Sequence, residues 1–82
     1  MVTLTFYGPL SDIMGRKRTA DIGAGPVSIR SLVARLEEDD PEFRAALLRM
    51  RVNYARNNVM ASADEIAADG DDIALLPPFS GG

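Results

Sequence analysis

The apolar residues Ile29, Leu32, Val33 and Leu36 stand at i, i+3, i+4 and i+7. That spacing puts four side chains on one stripe of a helix. The other helical pattern, Phe43 and Leu47 four apart, is short. A stripe has to be buried against a second layer, and with so little helix available that layer must be a sheet. The sheet is visible at both ends of the chain. Val2, Leu4 and Phe6 alternate with Thr3, Thr5 and Tyr7, and Ile73 and Leu75 alternate with Ala74 and Leu76. Period-two alternation of this kind marks a half-buried strand. The expected class is α+β, with a mixed sheet packed on one main helix.

Between these anchors the elements are weaker. Gly8-Pro9 ends the first strand. Residues 10–15 read as a connecting segment that offers Leu10, Ile13 and Met14 to the core. Residues 16–22 read as a polar strand returning as a hairpin, suited to a sheet edge. Residues 23–26 are loop. Ser28 can cap the main helix. The acidic run 37–40 closes it, and Asp39 or Asp40 can cap a second short helix with Pro41 in its first turn. Residues 50–56 read as a strand with Met50, Val52 and Tyr54 on one face. Asn57-Asn58 suits a two-residue turn, because asparagine tolerates positive φ. Residues 59–61 return, residues 62–69 form a loop, Asp69-Gly70-Asp71 turns, and residues 72–76 make the last strand. The expected order is β-β-α-(α)-β-β-β. The predicted core is Val2, Leu4, Phe6, Ile22, Ile29, Leu32, Val33, Leu36, Leu47, Val52, Ile73 and Leu75.

Composition removes most chemistry. There is no cysteine and no histidine, hence no disulfide, no thiol nucleophile, no ordinary zinc site and not the commonest general base. The net charge of −3 and the scatter of basic residues argue against nucleic acid. The trio Arg16-Lys17-Arg18, which holds the sole lysine, fits a solvated hairpin. No apolar run approaches the ~20 residues of a membrane helix. The opening residues carry no secretory pattern, which makes the cytoplasm the expected compartment. The acidic clusters at 37–42 and 64–72 fall in turns and helix ends. Asp69 to Asp72 lacks the ligand spacing of a calcium loop. The glycines of Gly23–Pro26 lack the pattern of a phosphate loop. An active site of the chain's own, a resident cofactor and a metal site are therefore not expected.

What remains is the ending Leu75-Leu76-Pro77-Pro78-Phe79-Ser80-Gly81-Gly82. Pro77-Pro78 cannot continue a ladder and favours an extended path, so residues 77–82 should project from a domain spanning residues 1–76. Six extended residues reach at most about 20 Å. Gly81 and Gly82 lack Cβ and can thread a narrow channel. A carboxylate at Gly82 is a poor electrophile until a partner gives it a leaving group, such as AMP from ATP. Without cysteine, that terminal carbon is the place where the chain could carry sulfur. Tyr7 and Leu76 are out of phase with their core-facing neighbours. With Met60 on the short return strand, they form a candidate docking patch on the sheet face opposite the helix.

The ending with its Asp69-Gly70-Asp71 turn, the opening VTLTFYGPLSDIMG and the helix SIRSLVARL resemble the MoaD/ThiS sulfur-carrier family, and the Pro-Pro pair resembles its MoaD branch. The likeness spans the whole chain. It implies a ubiquitin-like β-grasp fold with a flexible Gly-Gly tail. It further implies activation of Gly82 by a ubiquitin-activating-type adenylyltransferase using ATP, and conversion to a thiocarboxylate by a sulfur donor system. The tail would then enter the large subunit of molybdopterin synthase and give sulfur to precursor Z. Gly82 would carry the sulfur, Gly81 would permit passage, and Pro77, Pro78, Phe79 and Ser80 would line the channel. Arg56, Asn57-Asn58 and Phe79 depart from the residues most common at those places.

Three other readings share the features of the tail. A protein modifier would join Gly82 to a lysine elsewhere. A carrier could serve thiamine or another sulfur product. A plain interaction domain would make no use of Gly82, so deleting that residue separates it from the rest.

Overall fold

The structure, a computed structural model, describes residues 1–78. Ten elements follow one another: β1 (Val2–Phe6), α1 (Pro9–Met14), β2 (Lys17–Ala20), β3 (Val27–Ser28), α2 (Ile29–Asp39), α3 (Pro41–Arg49), β4 (Asn53–Arg56), β5 (Val59–Ala61), β6 (Ile66–Ala67) and β7 (Asp72–Leu76). Five strands form one sheet in the order β2-β1-β7-β4-β5. The first and last strands of the chain are its centre and run parallel, with Leu4 beside Ile73 and Phe6 beside Leu75. The other neighbours are antiparallel. This is the ubiquitin-like β-grasp arrangement: a mixed sheet closed on one face by helices.

The main helix forms where its stripe predicts. The Ser28 hydroxyl oxygen accepts from the Ser31 amide at 3.1 Å, which satisfies one of the free donors of the first turn. Ile29, Leu32 and Val33 are buried, while Leu36, at the far end of the stripe, is partly buried against the core. Asp40 caps α3, its Oδ1 accepting from the Glu42 and Phe43 amides at 3.1 Å each. Pro41 occupies the first turn of that helix. At the β4–β5 turn, Asn57 and Asn58 both take positive φ, 49° and 69°, as a tight hairpin of the favoured twist requires.

Several expectations are corrected. Residues 10–15 are not merely a connector, because Pro9 to Met14 form α1. Pro9 supplies the fixed φ of a first helical residue. Leu10 and Met14, one turn apart, are both buried. The polar strand is shorter than 16–22, covering Lys17–Ala20. The strand expected at 50–56 starts at Asn53, because α3 runs through Arg49 and Met50 is its C-cap. Residues 62–69 are not all loop, since Ile66-Ala67 pairs with Val27-Ser28 in a two-stranded ribbon.

The core differs from the expected set in its second helix. Phe43 is fully buried and meets Phe6 edge to face, ring centroids 6.0 Å apart at 84°. Burial of one such ring contributes about 2–3 kcal/mol. Ala46 and Ala67 are also core, whereas Leu47 and Val52 are partly buried at its edge. The sheet therefore packs on α2 together with α3, and α3 packs on both α2 and α1.

Candidate functional site

Because paired residues on adjacent strands point the same way, the register defines the sheet face that no helix covers. One row across it reads Lys17, Thr5, Ala74, Ala55 and Met60, through the pairs Thr5–Lys17, Thr5–Ala74, Ala55–Ala74 and Ala55–Met60. The next row holds Leu76 opposite Asn53. Tyr7 follows Phe6 out of phase with the core, and its amide still donates to the Leu75 carbonyl at 3.3 Å. Tyr7 is 43% exposed and Met60 59%, while Leu76 is half-buried. The three residues singled out from the sequence thus share one face. Between them lie small side chains, Ala55, Ala74 and Thr5, which make the face shallow.

The exit of the tail lies beside this face. β7 ends at Leu76, Pro77 is half-buried and Pro78 is exposed. Gly8 sits against Pro77. A Cβ at Gly8 would stand 3.1 Å from Pro77 Cγ, and Gly8 has φ +60°. The Gly8 carbonyl accepts from both the amide (3.0 Å) and the hydroxyl (2.7 Å) of Ser11. In the sequence Gly8 reads only as a strand terminator, and this contact is not legible there. The positive φ and the approach of a distant proline carry no local signal. Phe79, Ser80, Gly81 and Gly82, the remaining tail positions singled out from the sequence, lie outside the described residues.

The other end of β7 is tied by polar groups. Asp71 accepts from the Ala68 amide (2.9 Å), Asn57 Nδ2 (3.0 Å) and Arg56 Nε (2.8 Å). Those donors, the Ala68 amide first, then Asn57 and Arg56, hold its carboxyl down at about 2. Asn57 also receives the Asp72 amide on its Oδ1 at 2.9 Å and gives its own amide to the Asp72 carbonyl at 2.8 Å. Thr5 on β1 donates its hydroxyl to Asp72 Oδ1 at 3.0 Å. Arg56 and Asn57 are therefore what fasten the Asp69-Gly70-Asp71 turn to the β4–β5 hairpin.

Burial first, and nearby Glu37 second, push the Tyr54 hydroxyl above the usual tyrosine range, with Arg30 opposing. Among the described residues, no group of three or more His, Cys, Asp or Glu could hold a metal. Also among them, no helix is long and apolar enough to cross a membrane. A groove of about 640 Å³ lies over Thr3, Lys17, Arg18 and Thr19. A cleft of about 260 Å³ lies under the 23–26 loop against Ala68 and Asp69. Neither is lined by Tyr7, Leu76, Met60 or Pro77.

Comparison with known proteins adds what this geometry leaves open. The model of the ThiS family matches residues 4–82 and so runs through the last glycine. The chain belongs to the ThiS family. Across its full length and that of the relative, it is 24% identical to the molybdopterin synthase sulfur carrier subunit of Escherichia coli. It is 38% identical over 69 residues, 84% of this chain and 69% of the relative, to small archaeal modifier protein 1 of Haloferax volcanii. The crystal structure of that Haloferax protein superposes with a TM-score of 0.76 at 25% identity, over 99% of this chain and 98% of the other. Subunit 1 of the molybdopterin-converting factor of Helicobacter pylori, solved in complex with subunit 2, superposes with a TM-score of 0.67 at 28% identity, over 99% and 97%. The ThiS-family chain is thus similar both to carriers and to a modifier.

Proposed function

We propose that this chain is a sulfur carrier that serves as the small subunit of a molybdopterin synthase. A ubiquitin-activating-type adenylyltransferase joins the Gly82 carboxylate to the α-phosphate of ATP and releases pyrophosphate. A sulfide equivalent from a donor system displaces AMP and leaves a thiocarboxylate. The large subunit receives residues 77–82, and the sulfur passes to precursor Z. The tail divides the labour: Pro77 to Ser80 line the channel, Gly81 gives passage and Gly82 reacts. The face bearing Tyr7, Met60 and Leu76 docks. The chain itself binds no cofactor and works in the cytoplasm. The observation that carries this reading is the family match through Gly82, on a fold whose central strand delivers Pro77-Pro78 to the domain surface. End-to-end similarity to a named carrier subunit supports the molybdopterin branch.

A second reading, a protein modifier joined through Gly82 to a lysine, is favoured by the 38% identity to small archaeal modifier protein 1. Both begin with the same adenylate. Intact-mass measurement on protein purified from cells holding a matching activating enzyme separates them. One oxygen replaced by sulfur, confined to the C-terminal peptide, is the expected result. Isopeptide adducts on other proteins without that species would overturn the carrier reading in favour of the modifier.

A further inference from the structure

The contact between Gly8 and Pro77 joins two places with different work. Gly8 lies two residues past the end of β1 and is the N-cap of α1, at the domain surface. Pro77 is the first residue after β7, where the tail begins. The gap left by the missing Cβ is filled by the proline ring, with Pro77 Cγ 3.1 Å and Pro77 Cβ 3.7 Å from where that Cβ would be. Ser11, by its amide and hydroxyl, holds the Gly8 carbonyl, so the notch is fixed from the domain side. A proline ring seated in a fixed notch has its backbone direction set, because its φ is already locked.

We propose that Gly8 is a positioning residue for the tail, a role that rests on the reading of Gly82 as the activated terminus. It lets Pro77 lie flush against the domain and thereby aims residues 78–82 at the partner's active site. A Cβ at position 8 makes Pro77 give way by a few tenths of an ångström, a shift at the root of the tail that changes its direction while the fold persists.

The same helix supplies a control. Gly15 follows α1 at its other end with φ +82°, and a Cβ there meets nothing within 4 Å. Gly15→Ala therefore introduces left-handed backbone strain without touching the tail, and Gly8→Ala introduces strain together with the collision. Both are compared with the parent chain at a temperature where all are folded by circular dichroism. ATP–pyrophosphate exchange by the activating enzyme gives kcat and KM. Gly8→Ala should lower kcat by about tenfold to a hundredfold with KM little changed, as misplacement of a reacting group does, whereas Gly15→Ala should stay within about twofold. Equal losses in both variants, or full activity in Gly8→Ala, would overturn the assignment.

A second measurement is independent of the chemistry. The chain has no cysteine, so a nitroxide on Gly82→Cys is a single probe whose broadening of backbone amides maps where the tail lies. Gly8→Ala should change the set of broadened amides and Gly15→Ala should not. Adding Pro77→Ala to Gly8→Ala should return the pattern to that of Pro77→Ala alone. An unchanged pattern in Gly8→Ala refutes the positioning role. A parent chain that is never adenylated, with the pattern still shifting, refutes the reading of Gly82 and leaves the notch standing.

Discussion

β7 enters the sheet through a knot of polar side chains and leaves it through a proline ring resting on a glycine. At the entry, Asp71 and Asn57 between them tie the turn, the β4–β5 hairpin and the first residue of the strand. At the exit, the Tyr7 amide bonds to the Leu75 carbonyl and Pro77 sits on Gly8. The two ends need different things. A strand that must deliver its last residues to another protein gains from being fixed where it starts, since slippage by one residue would turn Leu76 toward the core and Leu75 outward. Pro77 has no N–H to tie and rests on Gly8 by shape, which suits a tail proposed to enter a partner.

Breaking the exit should have the largest effect on function and almost none on folding. On the proposed mechanism, one residue appended after Gly82 moves the carboxylate away from the position an activating enzyme would read. Sulfur loading, followed by intact mass, should vanish, while the unfolding free energy stays within about 0.5 kcal/mol of the parent, as for surface changes generally. Retained loading would sink the tail mechanism.

Breaking the entry should do the reverse. Asp71→Ala leaves the Ala68 amide and the Arg56 guanidinium without their acceptor. Bonds to a charged group contribute about 1.5–3 kcal/mol, and in a domain of this size each 1 kcal/mol moves the midpoint by about 4–8 °C. Denaturation should show a loss of about 2 kcal/mol. Loading per folded molecule should be unchanged. A large drop in loading of the folded fraction would mean that the two ends are coupled.

How much of this division could be read from residues alone follows from the range of each signal. Ser28, the stripe from Ile29, Asp40-Pro41 and Asn57-Asn58 act within a turn of their own position, and the helix starts and hairpin stand where they predict. The alternation of β1 and β7 placed Tyr7 and Leu76 opposite the core. Residues 9–14 are too few for a period to show, so α1 read as a connector. Phe43 is legible on its helix but not as core, because its partner Phe6 is distant in sequence. Asp71 read as part of a turn, and Gly8 as a terminator. Their structural roles come from Arg56 and Pro77, which only the fold brings near.

A change to the proposed docking face sharpens the comparison at smaller cost. Met60→Glu places a charge on an exposed position of β5, far in sequence from both ends of β7. Loss of one apolar contact at an interface is worth about 1 kcal/mol or more, so binding of the large subunit should weaken about five- to tenfold. Stability and the tail's broadening pattern should not move. Unweakened binding, measured by calorimetry, would remove Met60 from the interface.

The smallest effect at neutral pH comes from the titration of Asp71 itself. Its carboxyl is held at about 2 in the folded protein, against about 3.9 in an unfolded chain. A depressed folded value means that the unfolded state binds the proton first as pH falls. The resulting stability is complete above about pH 4 and is lost as pH drops toward about 2. Near neutrality nothing should change with pH on this account. Asp71→Asn should remove the dependence between about pH 4 and 2, leaving a flatter curve that starts lower, in urea titrations across that range. If the parent and the variant lose stability in parallel through the window, the donors at Ala68, Asn57 and Arg56 are not selecting the charged form, and the entry of β7 is held by neutral hydrogen bonds and packing instead.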